Sequence, residues 1–164
     1  MKIWLVDLEA VETRYTKQWK TEFPKLLKAN GHDVHVVNGG DTPQATTPGA
    51  FLNFGGTNVY KSKQLEQIAE AFCNGEVKDG DYFLYTDAWN PTVVQLRYMA
   101  ELLGINIRIG GMWHAGSYDP QDFLGRLIGD KPWVRNAERS MFECYDHNYF
   151  ATEFHIDMFF QSFP

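Results

Sequence analysis

The fold class is decided by the stretch Lys2-Ile3-Trp4-Leu5-Val6-Asp7 and by a second stretch, Asp33-Val34-His35-Val36-Val37. Residues 2–6 form an almost continuous apolar run, which is typical of a strand buried on both faces of a parallel sheet. Between the two stretches, apolar residues recur at helical spacing until Asn30-Gly31 ends the pattern. A strand, a helix and a second strand in this order predict a crossover unit with two parallel strands.

The same alternation continues along the rest of the chain. Further strands are predicted at 50–54, 82–85, 105–109 and 147–151. Helices are predicted at 61–74, 91–103, 121–128, 133–144 and 153–160. The sequence therefore predicts one α/β domain over residues 1–164, with a mostly parallel, Rossmann-like sheet of about six strands and helices on both faces.

Composition limits the classes of function. The chain has 164 residues, 44% of them hydrophobic, which is enough for a core in a single domain. Its net charge of -6 disfavours tight binding of duplex DNA across the whole surface. Two cysteines outside any C-x-x-C pair do not form a disulfide framework, and no signal peptide or membrane-spanning run is recognisable. We therefore expect a cytoplasmic protein without a membrane partner.

One edge of the predicted sheet carries the reactive residue types. Ligands of open α/β sheets bind outside the carboxyl ends of the strands. The segments predicted at that edge are rich in glycine, carboxylate, histidine, tryptophan and asparagine: 7–14, 38–42, 55–58, 86–90 and 110–119. The turns predicted at the opposite edge contain ordinary turn residues. This asymmetry predicts that the functional face is the carboxyl edge.

The segment 110–119 contains His114, which we predict to be catalytic. An imidazole has a pKa close to neutrality, so His114 could deprotonate or orient a substrate hydroxyl. The alternative is a structural histidine bonded to a backbone carbonyl. Asp119, in the same segment, could accept a hydrogen bond from a hydroxylated substrate, or could simply begin a helix with Pro120.

Asp87, Trp89 and Asn90 form a second candidate cluster. The Asp87 carboxylate is the second catalytic candidate, and the Trp89 indole could stack on a sugar or a base. The alternatives are that Trp89 packs in the core and that Asn90 caps the next helix.

Asp7 follows the first strand directly and is a candidate for substrate binding. Glu9, Glu12 and Arg14 follow in the same loop, where charged side chains are most often simply solvated. No phosphate-binding glycine motif, Walker lysine or nucleophile elbow is present, and the five histidines show no metal-binding spacing. The sequence therefore predicts neither a metal site nor a bound cofactor.

The order of several segments resembles the N-terminal domain of glycosyltransferase-B-fold enzymes, in particular bacteriophage glycosyltransferases linked to DNA modification. The segments that carry the resemblance are Met1–Asp7 with Glu12-Thr13-Arg14-Tyr15, Asp87-Ala88-Trp89-Asn90-Pro91, Gly111-Met112-Trp113-His114-Ala115-Gly116-Ser117 and Asp146–Met158. They span essentially the whole chain.

The resemblance implies the acceptor-binding half of a transferase. In such enzymes the N-terminal domain binds the hydroxyl acceptor and supplies a base, and the C-terminal domain binds most of the nucleotide-sugar donor without a metal. His114 and then Asp87 would be the base, and Gly55, Gly56, Trp89 and Trp113 would line the cleft. A complete enzyme of this fold is about twice as long, so we expect the donor domain to be missing and the chain alone to be inactive.

Two readings of function stay open at this point. The first is the acceptor half of a glycosyltransferase, with a hydroxylated base in phage DNA as one candidate acceptor. The second is a non-catalytic Rossmann-like binding module or regulator that has kept the fold. A small nucleotide-metabolising enzyme is less well supported, because a phosphate-binding loop is missing.

Overall fold

A computed structural model describes residues 1–9, 16–43 and 45–163 of the chain. In this described part of the chain, five parallel strands form a single sheet in the order β2-β1-β3-β4-β5. The strands are β1 (Lys2–Val6), β2 (Asp33–Val37), β3 (Tyr82–Tyr85), β4 (Arg108–Trp113) and β5 (His147–Phe150). The helices are α1 (Thr16–Ala29), α2 (Phe54–Cys73), α3 (Thr92–Leu103), α4 (Phe123–Leu127), α5 (Pro132–Cys144) and α6 (Glu153–Gln161). The predicted α/β class with a parallel sheet is confirmed.

The main core lies on the face of the sheet that α2, α3 and α5 cover. Helix α3 packs against both α2 and α5. Beneath these helices the Trp4 indole stacks on Phe83, with ring centroids 5.5 Å apart, and both side chains are fully buried. Because side chains alternate along a strand, Leu84 faces the other side of the sheet, where α1 lies.

The prediction of a strand at 50–54 is wrong, so the sheet has five strands instead of six. Asn53 caps α2, since its side-chain oxygen accepts a hydrogen bond from the Gly56 amide, 2.8 Å away. The aromatic ring of Phe51 packs edge-on against Phe123. The apolar run is therefore a loop that packs on α4, and α2 begins at Phe54 instead of residue 61.

The strand predicted at 105–109 lies further along the chain, as β4 (Arg108–Trp113): residues 105–107 precede it, and it includes two glycines that were predicted to belong to a loop. A Cβ atom on Gly110 would collide with the phenol of Tyr82, and one on Gly111 would lie 2.6 Å from the ring of Tyr145. These two strand positions are glycines because aromatic side chains of neighbouring elements fill the space where a Cβ atom would lie on each face of the sheet. His114 is consequently the first residue after β4.

The remaining boundaries agree closely with the predictions. Thr152 caps helix α6, which begins at Glu153: the Thr152 side-chain oxygen accepts a hydrogen bond from the His155 amide. Helix α3 ends at Gly104, which adopts the left-handed conformation. Within the described part of the chain, none of the helices has the combination of length and apolar composition that a membrane crossing requires.

Candidate functional site

The strand order reverses at β1, which has β2 on one side and β3 on the other. In sheets of this kind, the crevice at the reversal is the preferred ligand-binding position. Hydrogen bonds join three strand ends there. The Thr86 amide donates to the Val6 carbonyl over 3.1 Å, and Nε2 of His114 lies 2.6 Å from the Thr86 carbonyl oxygen. We call the ends of β1, β3 and β4, with residues 7–9, 86–91 and 114–119, the switch-point rim.

The tautomer of His114 follows from its hydrogen bond at the rim. A carbonyl oxygen only accepts, so Nε2 of His114 carries a proton and donates it to the Thr86 carbonyl. The half-buried ring also meets the edge of Trp19 on α1, with centroids 5.7 Å apart. The backbone bond matches the structural alternative for this histidine, and its catalytic role stays a prediction.

Asp7 lies at the centre of a buried polar cluster at the end of β1. Its side chain accepts a short hydrogen bond from Tyr60 and longer ones from Gln64, at 3.2 Å, and Asn38, at 3.4 Å. The ammonium group of Lys20 lies 3.9 Å from the second carboxylate oxygen and 3.3 Å from the Tyr60 hydroxyl. The cluster thus joins β1, α1, α2 and the segment after β2.

Burial raises the pKa of Asp7 to about 6, although the hydrogen bond from Tyr60 and the charge of Lys20 oppose the rise and Glu9 adds to it. Burial and the neighbouring Asp7 also raise the pKa of the Tyr60 phenol, which therefore stays protonated and donates. A carboxyl that titrates close to neutrality is typical of functional sites and is costly in a purely structural role.

Glu9 adds a second buried carboxylate beside Asp7. It is 3% exposed, and neither of its carboxylate oxygens has a hydrogen-bond partner among the described residues. The side-chain oxygen of Gln64 is likewise without a partner there. Glu12 and Arg14, which belong to the same predicted charge cluster, lie outside the described residues.

The segment after β3 is held by its own side chains. The Asp87 carboxylate accepts from the Trp89 amide at 3.0 Å, and the Asn90 side chain accepts from the Thr92 amide at 3.1 Å. Asn90 is buried and stabilises the start of α3, as the capping alternative predicted. The Trp89 indole packs against the core and donates to Glu138 over 3.0 Å.

The four remaining residues predicted to bind substrate lie in the core, in a turn or in the first turn of a helix: Trp113, Asp119, Gly55 and Gly56. Trp113 is 1% exposed and lies among core aromatic rings, so its indole offers no face to a ligand. Asp119 accepts from the Gln121 amide in a turn before α4. Gly55 and Gly56 form the first turn of α2 instead of following a strand, and a Cβ on Gly56 would collide with Pro43.

An aromatic cavity of about 440 Å³ opens beside the rim, on the α1 face of the sheet. Its walls include Trp19 and Phe23 from α1 and Leu84, Met112 and Tyr149 from the strands, and it extends to Thr86. At its other end, the Tyr82 hydroxyl lies 3.1 Å from Nδ1 of His147 and 3.2 Å from the Tyr149 hydroxyl. Its size and its apolar walls with a few polar groups are typical of small-molecule sites.

Sequence reasoning missed Lys20, Tyr60, Gln64 and Glu138, which contact the site from the interior of helices. Three of them, Lys20, Gln64 and Glu138, are ordinary polar residues of predicted helices. Tyr60 lies just before the helix predicted at 61–74, so the sequence held no signal for any of the four. Among residues 1–9, 16–43 and 45–163, no group of three or more His, Cys, Asp or Glu side chains is arranged to hold a metal ion.

Comparison of the chain with protein-family models, with curated proteins and with solved structures found no match.

Proposed function

We propose that this chain is the acceptor-binding half of a glycosyltransferase, a Rossmann-like domain that holds a hydroxyl-bearing acceptor at the switch-point rim. The observation that carries the proposal is the placement of Asp7 after β1 and His114 after β4, on either side of the end of β3 and at the same carboxyl edge of the sheet. In this arrangement the donor, a nucleotide-sugar, is bound mainly by a second domain. The sequence resemblance supports the choice of transferase over other hydroxyl-binding functions.

The aromatic cavity supports a flat acceptor. A ring between Trp19 and Tyr149 would have apolar and aromatic contacts on its faces, and the polar group of Tyr82, His147 and Tyr149 would bind its far edge. Trp19 touches both the cavity and His114, so a substituent on such a ring would reach the rim. A hydroxymethylated base, free or in phage DNA, has this shape.

The proposed reaction needs one base on this chain. The imidazole of His114 takes the proton of the acceptor hydroxyl as the hydroxyl oxygen bonds to the anomeric carbon, and the bond from that carbon to the donor phosphate breaks. The Asp7–Lys20–Tyr60 cluster sets the electrostatic field at the same rim. Asp87 is the second candidate for the base, with one carboxylate oxygen already bonded to the Trp89 amide.

A non-catalytic binding module is the second candidate. The observation in its favour is that His114, Asp87 and Asn90 all bond to backbone or to helix ends, as structural residues do. In that case the cavity binds a ligand and the rim performs no chemistry.

Calorimetric titration of the chain tests the proposal, with 5-hydroxymethyl-2′-deoxycytidine and UDP-glucose as separate probes. We expect the nucleoside to bind and UDP-glucose to bind at least about tenfold more weakly, a difference of about 1.4 kcal/mol. His114→Ala should weaken nucleoside binding, whereas His32→Ala, in the turn before β2, should not. Tight binding of UDP-glucose alone, or binding of neither probe, would contradict the proposed acceptor role.

In a complete enzyme, His114→Ala should lower turnover by about two to four orders of magnitude, as expected for loss of a general base. Unchanged turnover with intact acceptor binding would favour the binding module and remove His114 from the mechanism.

A further inference from the structure

One carboxylate, that of Glu138 on α5, connects two loops of the switch-point rim. Its Oε2 atom accepts from the Trp89 indole nitrogen at 3.0 Å and from the Ser117 amide at 2.8 Å. Its Oε1 atom accepts a short hydrogen bond from the Ser117 hydroxyl. The side chain is fully buried. Trp89 belongs to the loop after β3 and Ser117 to the loop after β4, so a single group on a third element holds both.

The chain around Glu138 is shaped to admit this carboxylate. A Cβ atom on Gly116 would collide with Oε2 of Glu138 and with the ring of Tyr118. The loop after β4 therefore passes so close to the carboxylate that only glycine fits there. On the other loop, the Trp89 amide donates to Asp87 while its indole donates to Glu138, so Trp89 connects the candidate base Asp87 to α5.

We infer that Glu138 is a positioning residue, which fixes the Asp87 loop and the His114 loop relative to each other for acceptor binding. The inference rests on the proposed function of the rim. Among the described residues, Glu138 forms no hydrogen bond with His114 or Asp87 and acts through Trp89 and Ser117.

The chemistry of the group argues for positioning over simple packing. Three donors converge on Glu138, and a carboxylate is the side chain that accepts from all three without presenting a donor of its own. A buried carboxylate is costly to desolvate, and an apolar side chain of similar volume fills such a space at lower cost. The carboxylate gives the site directional bonds that set the separation of the two loops.

Glu138→Gln tests the inference, because glutamine has almost the same size as glutamate and replaces one acceptor oxygen of the carboxylate by a donor NH2 group. We expect faster hydrogen exchange at both the Ser117 amide and the Trp89 indole, by about tenfold to a hundredfold, which corresponds to loss of a charge-assisted hydrogen bond. We also expect a changed ¹⁵N signal of the His114 imidazole and about tenfold weaker binding of 5-hydroxymethyl-2′-deoxycytidine. Glu143→Gln, at an exposed position of the same helix, is the matched control and should change none of these.

Trp89→Phe and Ser117→Ala keep the inference testable if Glu138→Gln does not fold. Trp89→Phe removes the indole bond of the loop after β3, so exchange should quicken at the backbone amides of that loop while the Ser117 amide stays protected. Ser117→Ala removes the hydroxyl bond and leaves the amide bond of residue 117 in place, so exchange at that amide should quicken while the Trp89 indole stays protected. Unchanged exchange in both loops of Glu138→Gln, or a loss of global stability with an unchanged His114 signal, would overturn the positioning role. If the wild-type chain does not bind the nucleoside, the proposed function fails, and the exchange and imidazole signals still decide whether Glu138 orders the rim.

Discussion

Replacing Asp7 by asparagine is expected to stabilise the fold at neutral pH. Burial raises the pKa of Asp7 to about 6, against an ordinary value of 3.8, which corresponds to about 3 kcal/mol. Between pH 4 and pH 6 the native carboxyl binds a proton that the unfolded chain does not bind. The stability of the wild-type protein therefore falls as the pH rises through this window and stays lower above it.

The measurement is urea unfolding of the wild type and of Asp7→Asn at pH values from about 4 to 8, followed by far-UV circular dichroism. Asparagine is neutral throughout, so the free energy of unfolding of the variant relative to the wild type should increase by up to about 3 kcal/mol across the window. A relative stability that stays constant with pH, or that decreases as the pH rises, would refute the reasoning.

Asp81 is the matched control, at the amino edge of the sheet. Burial raises its pKa, but hydrogen bonds from the Lys2 and Lys78 amides and from the Trp4 indole outweigh that effect, so the pKa of Asp81 is lowered. Its stabilising contribution is present above the unfolded pKa and is lost as the pH falls through the folded value. Asp81→Asn should therefore destabilise the protein at neutral pH by about 1–3 kcal/mol, the opposite sign to Asp7→Asn.

Two further predictions concern the same regions. Tyr60→Phe removes the hydrogen bond that lowers the pKa of Asp7, so the pH window in which Asp7 affects stability should move upwards. The same urea series measures this window by comparing Tyr60→Phe with the double variant that also carries Asp7→Asn. A window that does not move would contradict the assigned bond. Gly111→Ala should cost about 1–3 kcal/mol because the added methyl group meets the ring of Tyr145, which is buried and bonded through its hydroxyl to Ala88. Gly110→Ala should cost less, since its methyl group meets the movable hydroxyl end of Tyr82, and equal costs in urea unfolding would count against this packing.

The sheet was predictable where the strand pattern is local. The apolar runs at 2–6 and 82–85 appear as β1 and β3, because a strand that is covered on both faces of the sheet has apolar residues at successive positions. The glycine at Gly104 and the threonine at Thr152 also marked their helix ends correctly.

The errors have a common physical origin in tertiary packing. Phe51, in the apolar run before Asn53, packs against α4, and no local pattern distinguishes this contact from packing in a sheet. Gly110 and Gly111 resemble a loop until the positions of Tyr82 and Tyr145 are known. The sequence around Gly110 and Gly111 does not show that Tyr82 and Tyr145 pack against them, so it could not predict the bounds of β4.

The candidate site was predictable at its strand ends and not on its helices. Asp7, Asp87 and His114 follow strands, and the rule of the carboxyl edge places them on one rim, as the structure does. Their catalytic and binding roles stay predictions. Tyr60, Gln64 and Glu138 reach the rim from α2 and α5 across 53, 57 and 21 residues of sequence, respectively. Only the packing of those helices shows which of their polar residues face the site.

The most direct test of the switch-point rim as the functional site is a titration followed by ¹⁵N signals of the five imidazoles. With 5-hydroxymethyl-2′-deoxycytidine added to the wild-type chain, the His114 signals should shift in a saturable way, while those of His32, in the turn before β2, stay in place. Saturable shifts at His32 with a silent His114 would put the ligand away from the rim and contradict the account.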